Sequence, residues 1–291
     1  MRSISKLPGN LEIMIADPRF ANQDDSFWAH VRSISQKIGY TDRSTSQIRI
    51  PTPEQISKAL NSLDLDSKHL MDIHFKLTSQ GKLLLEYFEY RANVLNNEVQ
   101  NLLMDADEAV SRLEELLKIN AFDLPLTMNK QKGVKAIPLP LTNAVNILIS
   151  HAVDGTNFDS NPQELTTFTR DGQPIQTLAR RVDGAYPTTT NPLAIWEIKE
   201  YYFTTTFGSR VAGGVYETLL DGLELRELEK NWNIKCDHML FVDGKLTWWV
   251  KGRSYLCRLI DILNMGLVTE IIFGKEVYER LPELASTWKM N

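Results

Sequence analysis

The spacing of apolar residues changes near residue 125, and this change limits the chain to folds that join a helical region to a mixed region. Before it, apolar residues recur mostly three, four or seven positions apart, as on one face of a helix. After it, short alternating runs typical of strands are mixed with helical patterns. We therefore predict an N-terminal all-helical region over residues 1–125 and an α/β (α+β) domain over residues 126–291.

The overall composition is that of a globular protein and excludes several classes. The chain has 291 residues, of which 43% are hydrophobic and 24% charged, close to the average for folded domains. No stretch approaches the roughly 18 consecutive apolar residues that a membrane helix needs. Cys236 and Cys257 are too few to form a disulfide scaffold. We therefore expect a cytoplasmic protein with no membrane partner.

The N-terminal region carries one clear helix start and one long helical pattern. The run Thr52-Pro53-Glu54 combines a capping residue with a proline suited to the first helical turn. A second pattern predicts a helix over residues 67–102, which Gly81 is expected to break or bend. Residues 52–77 then have two interpretations, a helix-turn-helix that enters a DNA groove or an ordinary helical hairpin.

The C-terminal region is predicted to alternate between helices and strands. Helices are expected over residues 142–153, 209–231, 255–264 and 276–284, and strands over residues 164–169, 173–177, 180–186, 193–203, 236–242, 246–250 and 268–273. Two Asp-Gly pairs, Asp171-Gly172 and Asp243-Gly244, stand between neighbouring strands and predict two β-hairpins.

Several catalytic motifs are missing from the sequence. There is no glycine-rich loop ending in Lys-Ser or Lys-Thr, no dinucleotide fingerprint, no zinc-ligand spacing and no G-x-S-x-G nucleophile elbow. We therefore expect no nucleotide cofactor, no zinc chemistry and no acyl transfer.

The strand over residues 193–203 carries the chemistry that remains. Alternation places Ala194, Trp196 and Ile198 on one face of this strand and Ile195, Glu197 and Lys199 on the other. If the strand pairs with the one that carries Asp183, two carboxylates converge and suit a hard cation such as Mg²⁺. Lys199 would project into the same cavity, where it orients a water or stabilises charge that develops on phosphorus.

This D-x(n)-E-x-K arrangement of Asp183, Glu197 and Lys199 resembles the PD-(D/E)xK superfamily of restriction-endonuclease-like nucleases. The resemblance covers roughly residues 140–250, where a helix and a hairpin precede the motif and a helix and a strand follow it, as in the superfamily. Two departures stand out. Val182 replaces the proline of the superfamily's name, and helix 142–153 lacks the acid that many members carry there, for which Asp154, Glu164 or Glu217 would be the substitute.

The resemblance implies a restriction-endonuclease-like core, a mixed β-sheet flanked by helices. It further implies Mg²⁺-dependent hydrolysis of DNA phosphodiester bonds that leaves 5′-phosphates, most simply by a sequence-specific type II restriction endonuclease. In that role Asp183 and Glu197 hold the metal and Lys199 completes the catalytic set. Because each such site cuts one strand, a cut through double-stranded DNA implies either a homodimer or sequential nicking, and we expect the homodimer.

Further DNA contacts are expected outside the motif, although the net charge is −5. Ser209, as an N-cap, and Arg210 would seat a phosphate at the start of the helix after the motif. No acid lies between Gly244 and Arg258, where Lys245, Lys251 and Arg253 are predicted to contact backbone phosphate, with Trp248 and Trp249 on one strand and one of them in the core. A second basic cluster is formed by Lys130, Lys132 and Lys135.

On the helix after the motif, Glu217, Asp221 and Glu224 are interpreted as a solvated face.

Three other interpretations of the motif stay open. Glu197 and Lys199 can be interpreted simply as an exposed pair on a sheet, without function. A non-catalytic DNA- or protein-binding module that retains the nuclease fold is the main alternative function. A glycosidase that uses Asp183 and Glu197 as acid and base leaves Lys199 without a role.

Overall fold

The computed structural model describes residues 14–42, 44–119, 125–129, 137–153, 158–203 and 208–289. These residues form a mixed α/β fold with a helical N-terminal region, as predicted. The helices are α1 Asp25–Ile38, α2 Pro53–Asn61, α3 Ser79–Asn93, α4 Gln100–Leu102, α5 Ala106–Ile119, α6 Pro140–Ala152, α7 Ser209–Trp232, α8 Arg253–Asn264 and α9 Val277–Trp288. The strands are β1 Thr167–Arg170, β2 Gln173–Thr177, β3 Gly184–Tyr186, β4 Ala194–Glu200, β5 Asp237–Asp243 and β6 Glu270–Phe273. Within the described parts of the chain, no helix has the length and apolar character needed to cross a membrane.

The N-terminal helices α1, α2 and α3 pack around an aromatic core. Helix α2 begins as predicted, because the Thr52 hydroxyl accepts the Gln55 backbone N–H while the Gln55 side chain accepts the Thr52 N–H. Trp28 of α1 meets Tyr87 of α3 edge to face, with ring centroids 5.0 Å apart. The apolar spacing of the sequence therefore becomes one buried face on each helix.

The helix predicted over residues 67–102 is wrong in its first part. Turns connect α2 to α3, Met71 bridges Leu77, and Thr78 caps the start of α3. Gly81 lies in the first turn of α3, where a Cβ atom would lie 2.0 Å from the carbonyl oxygen of Leu70. The glycine thus permits a close approach of two backbones and does not bend the helix.

Both interpretations of residues 52–77 are also wrong. This fully described stretch contains α2 followed by turns, so it forms neither a helix-turn-helix nor a helical hairpin. Leu70, which belongs to the pattern that predicts a second helix, is buried from a turn, and Met71 is buried beside it from an isolated bridge. Tertiary packing uses them without helical structure.

The main sheet has the order β3-β4-β5-β6. β3 runs antiparallel to β4, with Gly184 opposite Trp196. β4 and β5 are parallel, with Glu197 opposite Leu240, and β6 continues the parallel arrangement. Because β4 and β5 are parallel neighbours, the chain must cross over between them, and α7 makes this crossover.

Helices cover both faces of this sheet. Helices α6 and α9 cover one face, which presents Ala194, Trp196, Met239, Phe241 and Ile272. Helices α7 and α8 cover the other face, where Leu240, Val242, Ile271 and Phe273 pack against Val211, Val215, Leu256 and Leu259. The predicted alternation along β4 is confirmed, because Ala194 and Trp196 join the first cluster and Ile195 packs in a cluster with Leu225 and Leu228 of α7.

Of the two predicted hairpins, the first is confirmed and the second is wrong. β1 and β2 pair antiparallel around Asp171-Gly172, whose φ angles of 52° and 77° suit a tight hairpin turn. After Asp243-Gly244 the chain turns into a π-helical segment, Leu246–Lys251, in place of a strand. Both neighbours of β5 in the sheet are already parallel strands, so no edge is left for a hairpin partner.

The tryptophans of this π-helical segment are both buried. Trp248 is fully buried and stacks on Tyr201 with ring centroids 5.6 Å apart, and Trp249 is 7% exposed. The prediction of a tryptophan in the core is therefore confirmed, but the strand on which it was based is wrong, and the π-helical segment buries both rings.

Candidate active site

The antiparallel pairing of β3 and β4 places Asp183 beside the polar face of β4. The Asp183 backbone N–H donates to the Trp196 carbonyl at 3.0 Å, and its carboxylate Oδ2 accepts the Ile198 N–H at 2.8 Å. Next to it, a Cβ on Gly184 would lie 2.1 Å from the ring of Trp196, so only glycine lets this ring pack against β3. Asp183 is therefore held by the backbone on both sides of Glu197.

Glu197 lies at the centre of the site and is fully buried. Its Oε2 accepts a hydrogen bond from Lys199 Nζ at 2.7 Å, and its Oε1 accepts one from Arg180 Nη1 at 2.7 Å. Lys199 is itself buried, with 5% of its side chain exposed. The structure thus brings the three residues of the sequence motif together, with Glu197 and Lys199 in direct contact.

Helix α7 adds two acids to this cluster. Glu217 Oε2 accepts a hydrogen bond from Lys199 Nζ at 2.9 Å, and the buried Asp221 Oδ2 accepts one from Arg180 Nη1 at 2.7 Å. One turn further, the Glu224 carboxylate accepts the backbone N–H of Ala179 at 3.1 Å. The interpretation of these three acids as a solvated face is therefore wrong.

A signal for the two acids was present in the sequence, but none was present for Arg180. A crossover helix after β4 must cover the face of the sheet that α6 leaves open, and that face carries Glu197 and Lys199. Because Glu217 and Asp221 are four residues apart, they lie on one face of such a helix and would face the strand that carries Lys199. Arg180 lies in a loop before β3, where no periodicity predicts the direction of a side chain.

The electrostatics of the cluster are unbalanced. Asp183, Glu197, Glu217 and Asp221 face Arg180 and Lys199, which leaves two negative charges when all six groups are ionised. Partial desolvation at Asp183 and burial at Asp221, followed in both cases by the charge of Glu197, raise the pKa of Asp183 to about 6 and that of Asp221 to about 7. Although burial acts against it, the pKa of Lys199 is raised because Glu197 and Asp183 stabilise its ammonium. A bound cation would therefore be electrostatically favourable at this cluster.

The donor set fits a hard divalent cation. Carboxylate oxygens are the ligands that Mg²⁺ prefers, and Mg²⁺ keeps several waters beside one or two carboxylates. Asp183 remains open to solvent on one side, and Asp221 Oδ1 is buried without a hydrogen-bond partner in the described structure. Across the described ranges, no three carboxylate, His or Cys groups surround a single point, so the fit is to a two-carboxylate site completed by waters. Asp183 and Glu197 are the pair that the sequence predicts to hold the ion, and both oxygens of Glu197 accept hydrogen bonds from Arg180 and Lys199.

The residues predicted to contact phosphate lie near the C-terminal end of the main sheet's parallel strands. Ser209 is the first residue of α7 and not its N-cap, because Gly208 occupies the cap position and has no side chain to accept an N–H. Arg210 follows, with its guanidinium 5.4 Å from the centre of the Tyr201 ring. The prediction that Ser209 is the N-cap is therefore wrong. Arg210 does lie in the first turn of the helix.

The basic stretch after β5 is only partly exposed. Lys245 and Lys251 are exposed, and the Arg253 guanidinium lies 4.8 Å from the centre of the Trp249 ring.

Of the acids considered as substitutes in the motif, Glu164 is exposed before β1, whereas Glu217 contacts Lys199. The basic cluster Lys130, Lys132 and Lys135 and the alternative acid Asp154 lie outside the described residues.

The chain is thus a mixed α/β protein with a buried charged cluster between β4 and α7. It belongs to the family described as "Domain of unknown function (DUF7687)", whose model matches residues 104–288, more than half of the chain. A second family model, "Domain of unknown function (DUF7690)", matches residues 14–98. No curated protein and no solved structure matches the chain.

Proposed function

We propose that the chain is a Mg²⁺-dependent endonuclease that hydrolyses DNA phosphodiester bonds. The observation that carries this proposal is the contact of Lys199 with Glu197 on β4, beside Asp183 at the start of β3. Two carboxylates and an ammonium within one cluster form the donor set for hydrolysis of a phosphodiester. Phosphoryl transfer needs little covalent participation of the protein and depends mainly on position and charge.

Each of the three motif residues has a role in this reaction. Bound Mg²⁺ would polarise a phosphoryl oxygen and lower the pKa of the attacking water. Asp183 and Glu197 hold the ion. Lys199 orients the water and stabilises negative charge on the phosphoryl oxygens. The water oxygen forms the new bond to phosphorus as the bond to the 3′ oxygen breaks, so the products carry a 5′-phosphate and a 3′-hydroxyl.

The order of the elements supports the resemblance to the PD-(D/E)xK superfamily. A helix (α6) and a hairpin (β1–β2) precede β3 and β4, and a helix (α7) and a parallel strand (β5) follow them. This is the order that the resemblance implies, and the motif occupies the pair β3–β4 within it. A cytoplasmic type II restriction endonuclease that acts on double-stranded DNA as a homodimer is the specific form that we propose.

A non-catalytic DNA- or protein-binding module is the second candidate, and one observation favours it. Both oxygens of Glu197 are engaged by cations of the chain itself, Lys199 and Arg180. A carboxylate paired in this way can belong to a structural ion-pair network that holds no metal. To hold a metal, Glu197 would have to give up one of these two hydrogen bonds.

Cleavage of plasmid DNA separates the two candidates. Wild-type protein is incubated with supercoiled plasmid in Mg²⁺ and, separately, in EDTA, beside Asp183→Asn. Asp171→Asn is the matched control, because it changes an exposed aspartate in the β1–β2 turn where asparagine also tolerates the positive φ. We expect nicked or linear products with wild type and with Asp171→Asn in Mg²⁺ only.

Two results would count against the nuclease. Equal cleavage by Asp183→Asn would show that the activity comes from another site or from a contaminant. No cleavage of plasmids of diverse sequence, together with Mg²⁺-independent binding to DNA, would favour the non-catalytic module. Run-off sequencing of the products would then identify any recognition sequence and the cut position.

A further inference from the structure

A cavity of about 440 Å³ lies between the N-terminal helical region and the mixed region. Its walls come from α1 and the residues just after it, from α7 and from α8. The volume is within the range of pockets that bind small molecules. The cavity does not involve the Asp183–Glu197–Lys199 cluster, which occupies another face of α7.

Arg258 on α8 is positioned in this cavity by aromatic rings. Its guanidinium carbon lies 5.4 Å from the centre of the Tyr40 ring and 5.3 Å from that of Tyr255. Its Nη1 also reaches the Tyr216 hydroxyl, at 3.5 Å. The rings restrict the guanidinium, and its polar contacts are phenol hydroxyls rather than carboxylates. Its positive charge is therefore not compensated by an acid, and a guanidinium recognises oxyanions through charge-assisted hydrogen bonds.

A second arginine of the cavity wall also lacks an acidic partner. Arg32 on α1 donates to the sulfur of Met265, which is a weak acceptor. Within the described residues, neither Arg32 nor Arg258 forms an ion pair with a carboxylate. The one acid in the wall, Asp261, is neutralised by the buried Arg91, 2.9 Å away. The cavity therefore carries positive charge without an internal counterion.

Most of the remaining wall is apolar or aromatic, with Ser33 and Gln36 of α1 as its polar members. Val215, Leu219 and Ile262 form the apolar part, and the Tyr216 ring stands at the opening with 57% of the residue exposed. A phosphate alone would satisfy the arginines but leave this surface in contact with water. A ligand with an anionic group and a planar ring would contact both parts of the wall.

We propose that this cavity binds a small phosphate-bearing ligand with a planar ring, of the size of a mononucleotide. The phosphate contacts Arg258 and Arg32, and the ring packs against Tyr216 and Leu219. Because α1 belongs to one family segment and α7 and α8 to the other, the ligand would bridge the two segments. This inference does not depend on the proposed nuclease activity.

Calorimetric titration of the full chain tests the proposal. The probes are adenosine 5′-monophosphate, guanosine 5′-monophosphate, inorganic phosphate, adenosine, and a short DNA duplex. We expect at least one mononucleotide to bind more tightly than either phosphate or adenosine alone. Arg32→Gln and Arg258→Lys should each weaken that binding by about tenfold or more, the usual effect of losing a charge-assisted hydrogen bond.

Two control variants change similar charges outside the cavity. Lys37→Gln lies on α1 and Arg226→Gln on α7, and neither residue lines the cavity. Both should bind the nucleotide as wild type does. Arg32 is exposed, so Arg32→Gln keeps the test valid if Arg258→Lys unfolds.

Three results would overturn the proposal. The first is the absence of saturable binding of both nucleotides at millimolar concentration. The second is nucleotide binding that neither arginine variant changes. The third is binding of the DNA duplex but of neither mononucleotide, which would indicate that the two arginines contact a nucleic-acid backbone. If the wild-type protein binds the nucleotide but does not cleave DNA, the proposed nuclease activity is contradicted and the proposed nucleotide site is not.

Discussion

Arg91 of α3 and Asp261 of α8 form a buried ion pair that joins the helical region to the mixed region. Arg91 Nη1 lies 2.9 Å from Asp261 Oδ1 and 3.1 Å from Oδ2, while its Nη2 donates to the Ser35 hydroxyl at 3.1 Å. The Tyr87 hydroxyl donates to the same carboxylate. Since the side chains of both ions are almost fully buried, neither can be solvated if the other is removed.

We expect Arg91→Met to lower the free energy of unfolding by about 3–5 kcal/mol, as for other broken buried ion pairs. The double variant Arg91→Met/Asp261→Leu should recover a large part of this loss, because no unpaired charge remains. Urea denaturation of the single and double variants measures both effects. A single variant within about 1 kcal/mol of wild type would show that the pair is solvated in solution.

Loss of the Lys199 ammonium should slow the chemical step more than it weakens binding. We expect Lys199→Gln to reduce the single-turnover rate of DNA cleavage by about a hundredfold, because one charge partner of the transition state is lost. Affinity for the metal should change little, since an ammonium is not a ligand. Lys235→Gln is the matched control, because Lys235 is exposed and pairs with Glu229 away from the site. Unchanged turnover in Lys199→Gln would assign the lysine to structure alone.

The exposed lysines after β5 should contribute to DNA affinity on all sequences alike. The double variant Lys245→Gln/Lys251→Gln should reduce the slope of log K against log salt by about 0.9 for each phosphate that the protein no longer neutralises. Lys230→Gln/Lys235→Gln removes two exposed charges at the opposite end of the sheet and should leave the slope unchanged. An unchanged slope in the first variant would show that Lys245 and Lys251 do not bind the DNA backbone.

Three buried acids should make the protein less stable at alkaline pH. Burial raises the pKa of Glu200 to about 7, of Asp243 to about 7 and of Glu276 to about 8. Their hydrogen bonds to Thr142, Tyr202 and the Phe273 N–H only partly oppose this rise. In the unfolded chain these groups ionise near pH 4. Between the two pKa values the folded state therefore binds more protons than the unfolded state does.

The stability that these groups contribute is fully present below about pH 4 and is lost as the pH rises through 7 to 8. We expect the urea midpoint to fall between about pH 5 and about pH 8.5. Asp243→Asn should flatten this dependence, because asparagine replaces the protonated acid without a group that ionises. A midpoint that rises over the same interval would contradict the raised pKa values.

The alternation along β4 is predictable from the sequence because the environment of this strand is simple. One face of β4 packs on α6 and α9, and the other carries Ile195 and the charged cluster below α7, so alternation along residues 194–199 corresponds directly to the two faces. The β1–β2 hairpin was equally predictable, because Asp171 and Gly172 set the turn locally.

The second Asp-Gly pair failed as a predictor because distant groups determine its geometry. The Asp243 carboxylate accepts the N–H groups of Met104 and Gly244, and the Met104 carbonyl accepts the N–H of Lys245. Met104 and Asp243 are 139 residues apart in the chain, so no local pattern reveals their hydrogen bond. Arg180 was missed for the same reason, since its partners Glu197 and Asp221 come from a strand and a helix further along the chain.

Helix α7 has an implication for how proteins of this family can diverge. Tyr216 borders the cavity and Glu217 pairs with Lys199, so consecutive residues, about 100° apart around the helix, face two different sites. Substitutions can alter one site and spare the other. An insertion or deletion of one residue between Val215 and Asp221 would instead rotate one set of side chains out of place. Relatives that keep both sites should therefore vary in residue type along this segment but not in its length.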